Sequence, residues 1–109
     1  MHELGIAEEI IRVADAGRQG GKVTKVTLEI GKLSAVLPDA LRFCWSLAAE
    51  GTALEGSELE IIEVPGAGRC EACGAEVEMH APFTRCACGG SNLEWLRGDG
   101  LRLKSLEVV

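Results

Sequence analysis

Positive charge is what this chain has too little of: 11 lysines and arginines stand against 17 aspartates and glutamates, giving a formal net charge of −6 and a pI near 4.9. A surface of that sign repels a phosphate backbone, which argues against nucleic acid and for protein or cation partners. Long apolar runs are missing too. The most apolar stretch, residues 33–49, is interrupted by Pro38, Asp39 and Arg42, so nothing approaches the roughly 20 apolar residues of a membrane-spanning helix. Internal repeats and low-complexity tracts are absent, and nothing resembling a secretory leader opens the sequence. The expectation is a protein of the reducing cytoplasm, without membrane insertion. At 109 residues it has room for one domain or two very small ones, too little for a large active-site cleft.

Cysteine, by contrast, is concentrated. Four of the five lie in two short turns, Cys70-Glu71-Ala72-Cys73 and Cys86-Ala87-Cys88, the second followed by Gly89-Gly90. Thiolate sulfur is soft enough to hold Zn(II) at about 2.3 Å, and two such knuckles a dozen residues apart supply the corners of a tetrahedron. Gly74 and Gly89-Gly90 offer the positive-φ backbone that turns amide N–H groups toward sulfur. The single spacer in the second knuckle departs from the usual two. His80, between the knuckles, is therefore the candidate substitute for Cys86 or Cys88 in a Cys3His set. Disulfides or redox thiols are the competing use, and a reducing compartment disfavours the first. Four thiolates would close the coordination shell, leaving no open position for catalytic zinc, so an enzyme is not expected. Cys44, alone at an inward helical position, reads as a small apolar residue.

Periodicity places the rest. Leu4, Ala7, Ile10, Ile11 and Ala14 form the inner stripe of a helix over 4–16, ended by Gly17. Val26, Leu28 and Ile30 alternate with polar residues in a strand closed by Gly31. A second helix begins at Pro38, turns Leu41, Cys44, Trp45 and Ala48 inward, and stops at Gly51. Residues 58–64 make another strand, after which Pro65-Gly66-Ala67-Gly68 breaks the pattern and opens the cysteine ribbon. Alternation resumes after Gly98-Asp99-Gly100, which makes the ribbon an insertion. The fold class is α+β: a two-layer domain, a three-stranded sheet with two helices, made of residues 1–66 and 99–109, carrying a zinc-ribbon domain at 67–98. The ribbon has few large apolar residues beyond Val77, Met79, Phe83, Leu93 and Trp95. Metal must hold that part together. The glycines around it, Gly66 and Gly98 to Gly100, would also permit strand exchange, so monomer and homodimer both remain open.

The sequence begins Met1-His2-Glu3 directly at the first helix. The α-amine of Met1, the amide and Nδ1 of His2 and the amide of Glu3 can close fused chelate rings around one ion. Such square nitrogen coordination suits Ni(II) or Cu(II) better than Zn(II). These nitrogens must shed protons to bind, so acid favours release. The plainer alternative is a solvated His2, with Glu3 complementing the helix dipole.

Met1-His2-Glu3 at a helix start, a strand ending Gly31-Lys32-Leu33-Ser34, the Cys-x-x-Cys ribbon and a closing Leu103-Lys104-Ser105-Leu106-Glu107 together resemble the HypA/HybF nickel metallochaperones, in order and over essentially the whole chain. The resemblance implies a non-catalytic carrier that delivers Ni(II) during maturation of [NiFe] hydrogenase, and in some relatives serves urease. It implies a nickel-handling GTPase and the hydrogenase large subunit as partners. It carries nickel ligation to His2, Met1 and Glu3, structural zinc to Cys70, Cys73, Cys86 and Cys88, and makes Asp39 a further nickel candidate. A zinc-ribbon interaction or transcription module is the alternative, and would leave the amino terminus without a role.

Overall fold

Apolar spacing sets both helices of the first compact unit. The computed structural model describes residues 2–109, and its first helix, α1, spans His2–Gly17 with Glu3, Ala7, Ile10, Ile11 and Ala14 buried. Leu4, expected on that stripe, is 37% exposed. Glu3 takes the inward place instead, because its carboxylate finds hydrogen-bond donors there. The second helix, α2, spans Pro38–Ala49 with proline in its first turn and buries Leu41, Cys44, Trp45 and Ala49. The inner position falls on Ala49, one turn beyond Trp45, and Ala48 is only half-buried. Trp45 Nε1 donates to Ser57 Oγ at 3.1 Å, so the buried indole keeps a partner for its N–H. Cys44 is a free thiol, 2% exposed, packed as an apolar side chain.

Strand β1 (Val23–Gly31) lies in the middle of a three-stranded sheet, between β2 (Glu58–Val64) and β6 (Leu101–Val108). Val26, Leu28 and Ile30 are buried as the alternation requires. Between them, Thr27 Oγ1 donates to Glu60 Oε1 at 3.2 Å, and Lys25 Nζ lies 3.4 Å from Glu60 and 3.8 Å from Glu107. These cross-strand pairs fix the register of β1 against both neighbours. The hydrogen bond donated to Glu60, with the charges of Glu60, Glu58 and Glu107, holds the Lys25 ammonium above its usual pKa.

The second compact unit comprises Glu29–Ala35 and Glu63–Leu101. Its sheet has the order β4-β3-β5, with β3 (Gly66–Cys70) central and antiparallel to both β4 (Glu76–Met79) and β5 (Leu93–Arg97). The sequence suggested breakers at Pro65, Gly66 and Gly68, yet both glycines lie in the middle strand. Bare backbone is needed there: a Cβ on Gly66 would stand 2.4 Å from Leu33 Cδ1, and one on Gly68 would stand 2.6 Å from Met79 Sδ. Gly98 packs as closely, for a Cβ there would come within 2.3 Å of Gly66 Cα. Backbone bonds from Gly31 to Gly100 (2.8 Å), Lys32 to Val64 (2.8 Å) and Leu33 to Gly98 (2.9 Å) tie the end of β1 into this unit. The ribbon's apolar set is smaller than the sequence suggested. Met79 is fully buried, but Phe83 is 98% exposed and Trp95 44% exposed. Among the described residues, no helix is long and apolar enough to cross a membrane.

Candidate metal centre

The two cysteine turns meet because β3 delivers Cys70 at its end and the β4–β5 connection folds back over it. Backbone bonds close each knuckle. Gly74 N donates to Cys70 O at 2.8 Å and Cys70 N to Ala75 O at 2.9 Å, while Gly89 N donates to Cys86 O and Cys86 N to Gly90 O, both at 2.9 Å. Gly74 and Gly89 adopt φ of 78° and 92°, the left-handed region that favours glycine. Gly90 does not share that conformation; its contribution is space. A Cβ there would lie 2.9 Å from Cys70 Sγ and 3.4 Å from Cys88 Sγ, and its N–H donates to Cys88 Sγ at 3.4 Å.

All four sulfur atoms lie within 4.8 Å of one another. Cys70–Cys88 and Cys73–Cys86, which would be opposite edges of a tetrahedron, each measure 3.6 Å. That separation is far beyond a disulfide of about 2.05 Å and close to the roughly 3.8 Å edge of a tetrahedron with 2.3 Å metal–sulfur bonds. The single spacer of Cys86-Ala87-Cys88 thus brings two sulfurs into one cluster with the first knuckle.

The protonation of the metal-free cluster points the same way. The backbone N–H of Cys73, aided by that of Ala72 and by the Cys88 and Cys73 thiols, outweighs desolvation and lowers Cys70 to about 7. The Gly90 N–H pulls Cys88 down, but its hydrogen bonds to Cys70, Cys73 and Cys86, with desolvation, push it up to about 12. Thiols this close cannot all ionise unless a cation offsets their charge. A soft divalent ion could supply that charge and take all four as thiolates. Gly90→Ala should therefore hasten metal loss by wedging a methyl against Cys70 Sγ, measurable as faster transfer to a chromogenic chelator; an unchanged rate would contradict that contact's role.

His80 stands apart from the four sulfurs. Its Nδ1 accepts from Lys32 Nζ at 3.1 Å and its Nε2 lies 2.9 Å from Glu78 Oε2.

At the other end of the chain, Met1 lies outside the described residues. The His2 imidazole is 59% exposed, and its Nε2 lies 2.9 Å from Glu3 Oε2, whose side chain is only 6% exposed. The same Glu3 oxygen accepts from the backbone N–H of Leu37 at 3.4 Å. Leu37 is the N-cap of α2 and has no side-chain cap of its own. The burial of Glu3 and its link to Leu37 escaped sequence reasoning; its place four residues before Ala7 on the buried stripe was the available signal. Asp39 is fully exposed and pairs with Arg42 at 2.8 Å. His2 and Glu3 are thus brought together, whereas the carboxylate of Asp39 is occupied within its own helix.

The model of the family described as "Hydrogenase/urease nickel incorporation, metallochaperone, hypA" matches residues 1–108. Among curated proteins, "Hydrogenase maturation factor HypA" of Trichormus variabilis is 47% identical over 108 residues, 99% of this chain and 96% of that protein. The protein of the same name from Geobacter metallireducens is 42% identical, covering 99% of both. Among solved structures, "Solution structure of the Ni metallochaperone HypA from Helicobacter pylori" superposes with a TM-score of 0.67 at 20% identity, over 98% of this chain and 97% of that one. "Solution structure of HypA protein" gives 0.70 at 23% identity, over 100% and 97%. These two likenesses concern the fold; the family rests on the match along nearly the whole sequence. The chain belongs to the HypA family of nickel metallochaperones, non-catalytic factors of hydrogenase maturation and urease nickel incorporation.

Proposed function

We propose that this chain carries Ni(II) at its amino terminus and delivers it to a [NiFe] hydrogenase precursor, with Zn(II) held separately by Cys70, Cys73, Cys86 and Cys88. The observation that carries the nickel reading is the exposed His2 imidazole at the first residue of α1, fixed by a buried Glu3. The first N–H groups of a helix have no intrahelical acceptor. The amides of His2 and Glu3 can therefore lose their protons to a metal without costing α1 a hydrogen bond. With the α-amine of Met1 and Nδ1 of His2 they supply the four nitrogens that Ni(II) favours. Asp39 is a carboxylate within the same first turn of α2 that Leu37 opens, and is kept as a further nickel candidate.

Zinc is the reading for the four-sulfur cluster because it needs no open position and accepts a tetrahedron of thiolates. On this account residues 67–98 form a structural zinc domain, and residues 1–66 with 99–109 form the nickel-binding domain. The client is the hydrogenase large subunit, the companion a nickel-handling GTPase, and the setting the cytoplasm. His2→Ala tests the cargo site: nickel calorimetry should show affinity at least about tenfold lower, a loss of some 1.4 kcal/mol, with zinc content unchanged. Nickel binding equal to that of the parent chain would eliminate the terminal site.

A further inference from the structure

We infer that the Glu3 carboxylate is a positioning residue that aims the nickel-binding face of His2 and is not itself a ligand; this rests on the terminal nickel site proposed above. Adjacent residues of a helix point about 100° apart and do not ordinarily meet. His2 and Glu3 do meet, at 2.9 Å, because His2 is the first residue of α1 and is free to fold back. Glu3 is 5% exposed and cannot follow an ion into solvent.

The bond has a chemical consequence. With Nε2–H donated to the carboxylate, the lone pair of the neutral ring is on Nδ1, the nitrogen that closes a chelate ring with the residue's own amide. A carboxylate on the far nitrogen also raises the basicity of the ligating one and fixes the ring's orientation. The second bond says what holds Glu3. The same oxygen accepts the Leu37 N–H at the start of α2, the part that a glutamate in the first turn plays in a capping box, here supplied from another helix. One oxygen thus orients the imidazole and anchors it to the start of α2.

Because both contacts use a single oxygen, an amide can reproduce them. Glu3→Gln keeps a carbonyl oxygen with two lone pairs but removes the charge, whereas Glu3→Ala removes both contacts. The readouts are nickel affinity by calorimetry and the His2 imidazole N–H by NMR in the zinc-loaded, nickel-free full chain. A slowly exchanging Nε2–H is expected in the parent and in Glu3→Gln, and is lost in Glu3→Ala. Nickel affinity should fall about 10- to 100-fold in Glu3→Ala and by much less in Glu3→Gln, whose contacts with His2 and Leu37 survive even if Glu3→Ala disturbs α1. Equal losses in the two variants would mark the carboxylate as a ligand and overturn the inference, as would a parent chain without the protected Nε2–H. If His2→Ala leaves nickel binding intact, the terminal site itself fails. If His2→Ala weakens binding and Glu3→Ala does not, only the positioning role fails.

Discussion

Removing the metal from the four-cysteine cluster should unfold the ribbon sheet while α1, β1 and α2 stay folded. The reason is a mismatch of magnitudes. Among the ribbon's own large apolar side chains only Met79 is fully buried, with Val77, Leu93 and Leu96 partly so and Phe83 and Trp95 exposed. Full burial of such a side chain is worth about 1.5–3 kcal/mol, and fixing one residue's backbone costs about 1–2 kcal/mol. One buried and three half-buried side chains cannot order three strands and two knuckles. A structural zinc site contributes an apparent 10–16 kcal/mol in small peptides, which is enough. The helical unit has a core of its own in Ile10, Leu28, Leu41, Trp45 and Leu54. Amide hydrogen exchange after chelation should therefore lose protection through β3, β4 and β5 and keep it in α1 and α2. Protection that persists in the metal-free ribbon would show that its hydrogen bonds and packing suffice. Cys73→Ser should reproduce the loss in part, since it removes one thiolate of four.

The second large effect is expected at the other end. Extending the chain by several Gly and Ser residues before Met1 replaces the terminal amine with an amide and moves His2 into the interior of the sequence. The loss of an amine donor and its chelate ring should cost at least about 2.8 kcal/mol, two tenfold steps in nickel affinity. Zinc content should not change, because the four sulfurs are untouched. Nickel calorimetry on tagged and tag-cleaved protein measures the difference. Equal affinities would mean that the terminal amine plays no part in holding the cargo.

Sequence alone carried the reading far where one side chain has one dominant use. Cys70, Cys73, Cys86 and Cys88 could be grouped by spacing, and their sulfurs do converge. Cys44 was legible from its helical position, and Ala7, Ile10, Ile11 and Ala14 from theirs. The errors fall where tertiary neighbours decide. Gly66 and Gly68 have the local signature of breakers, yet lie in a central strand because Leu33 and Met79 occupy the space a side chain would need. Phe83 is as apolar as any core residue, but nothing in the ribbon covers it. Gly90 invited a conformational argument, while its constraint is the proximity of Cys70 and Cys88 sulfur. Glu3 is the instructive case for function. A glutamate in a first helical turn ordinarily faces solvent and complements the dipole. Its place four residues before Ala7 hints at burial, but its bond to Leu37, thirty-four residues away, is announced by no local pattern.

The proposed function divides two metals between two kinds of donor. Nickel-edge X-ray absorption on the full, zinc-loaded chain with one equivalent of Ni(II) tests that division most directly. The prediction is a first shell of nitrogen and oxygen only, including an imidazole that disappears in His2→Ala. Sulfur in the nickel shell, with zinc displaced from Cys70, Cys73, Cys86 and Cys88, would contradict it.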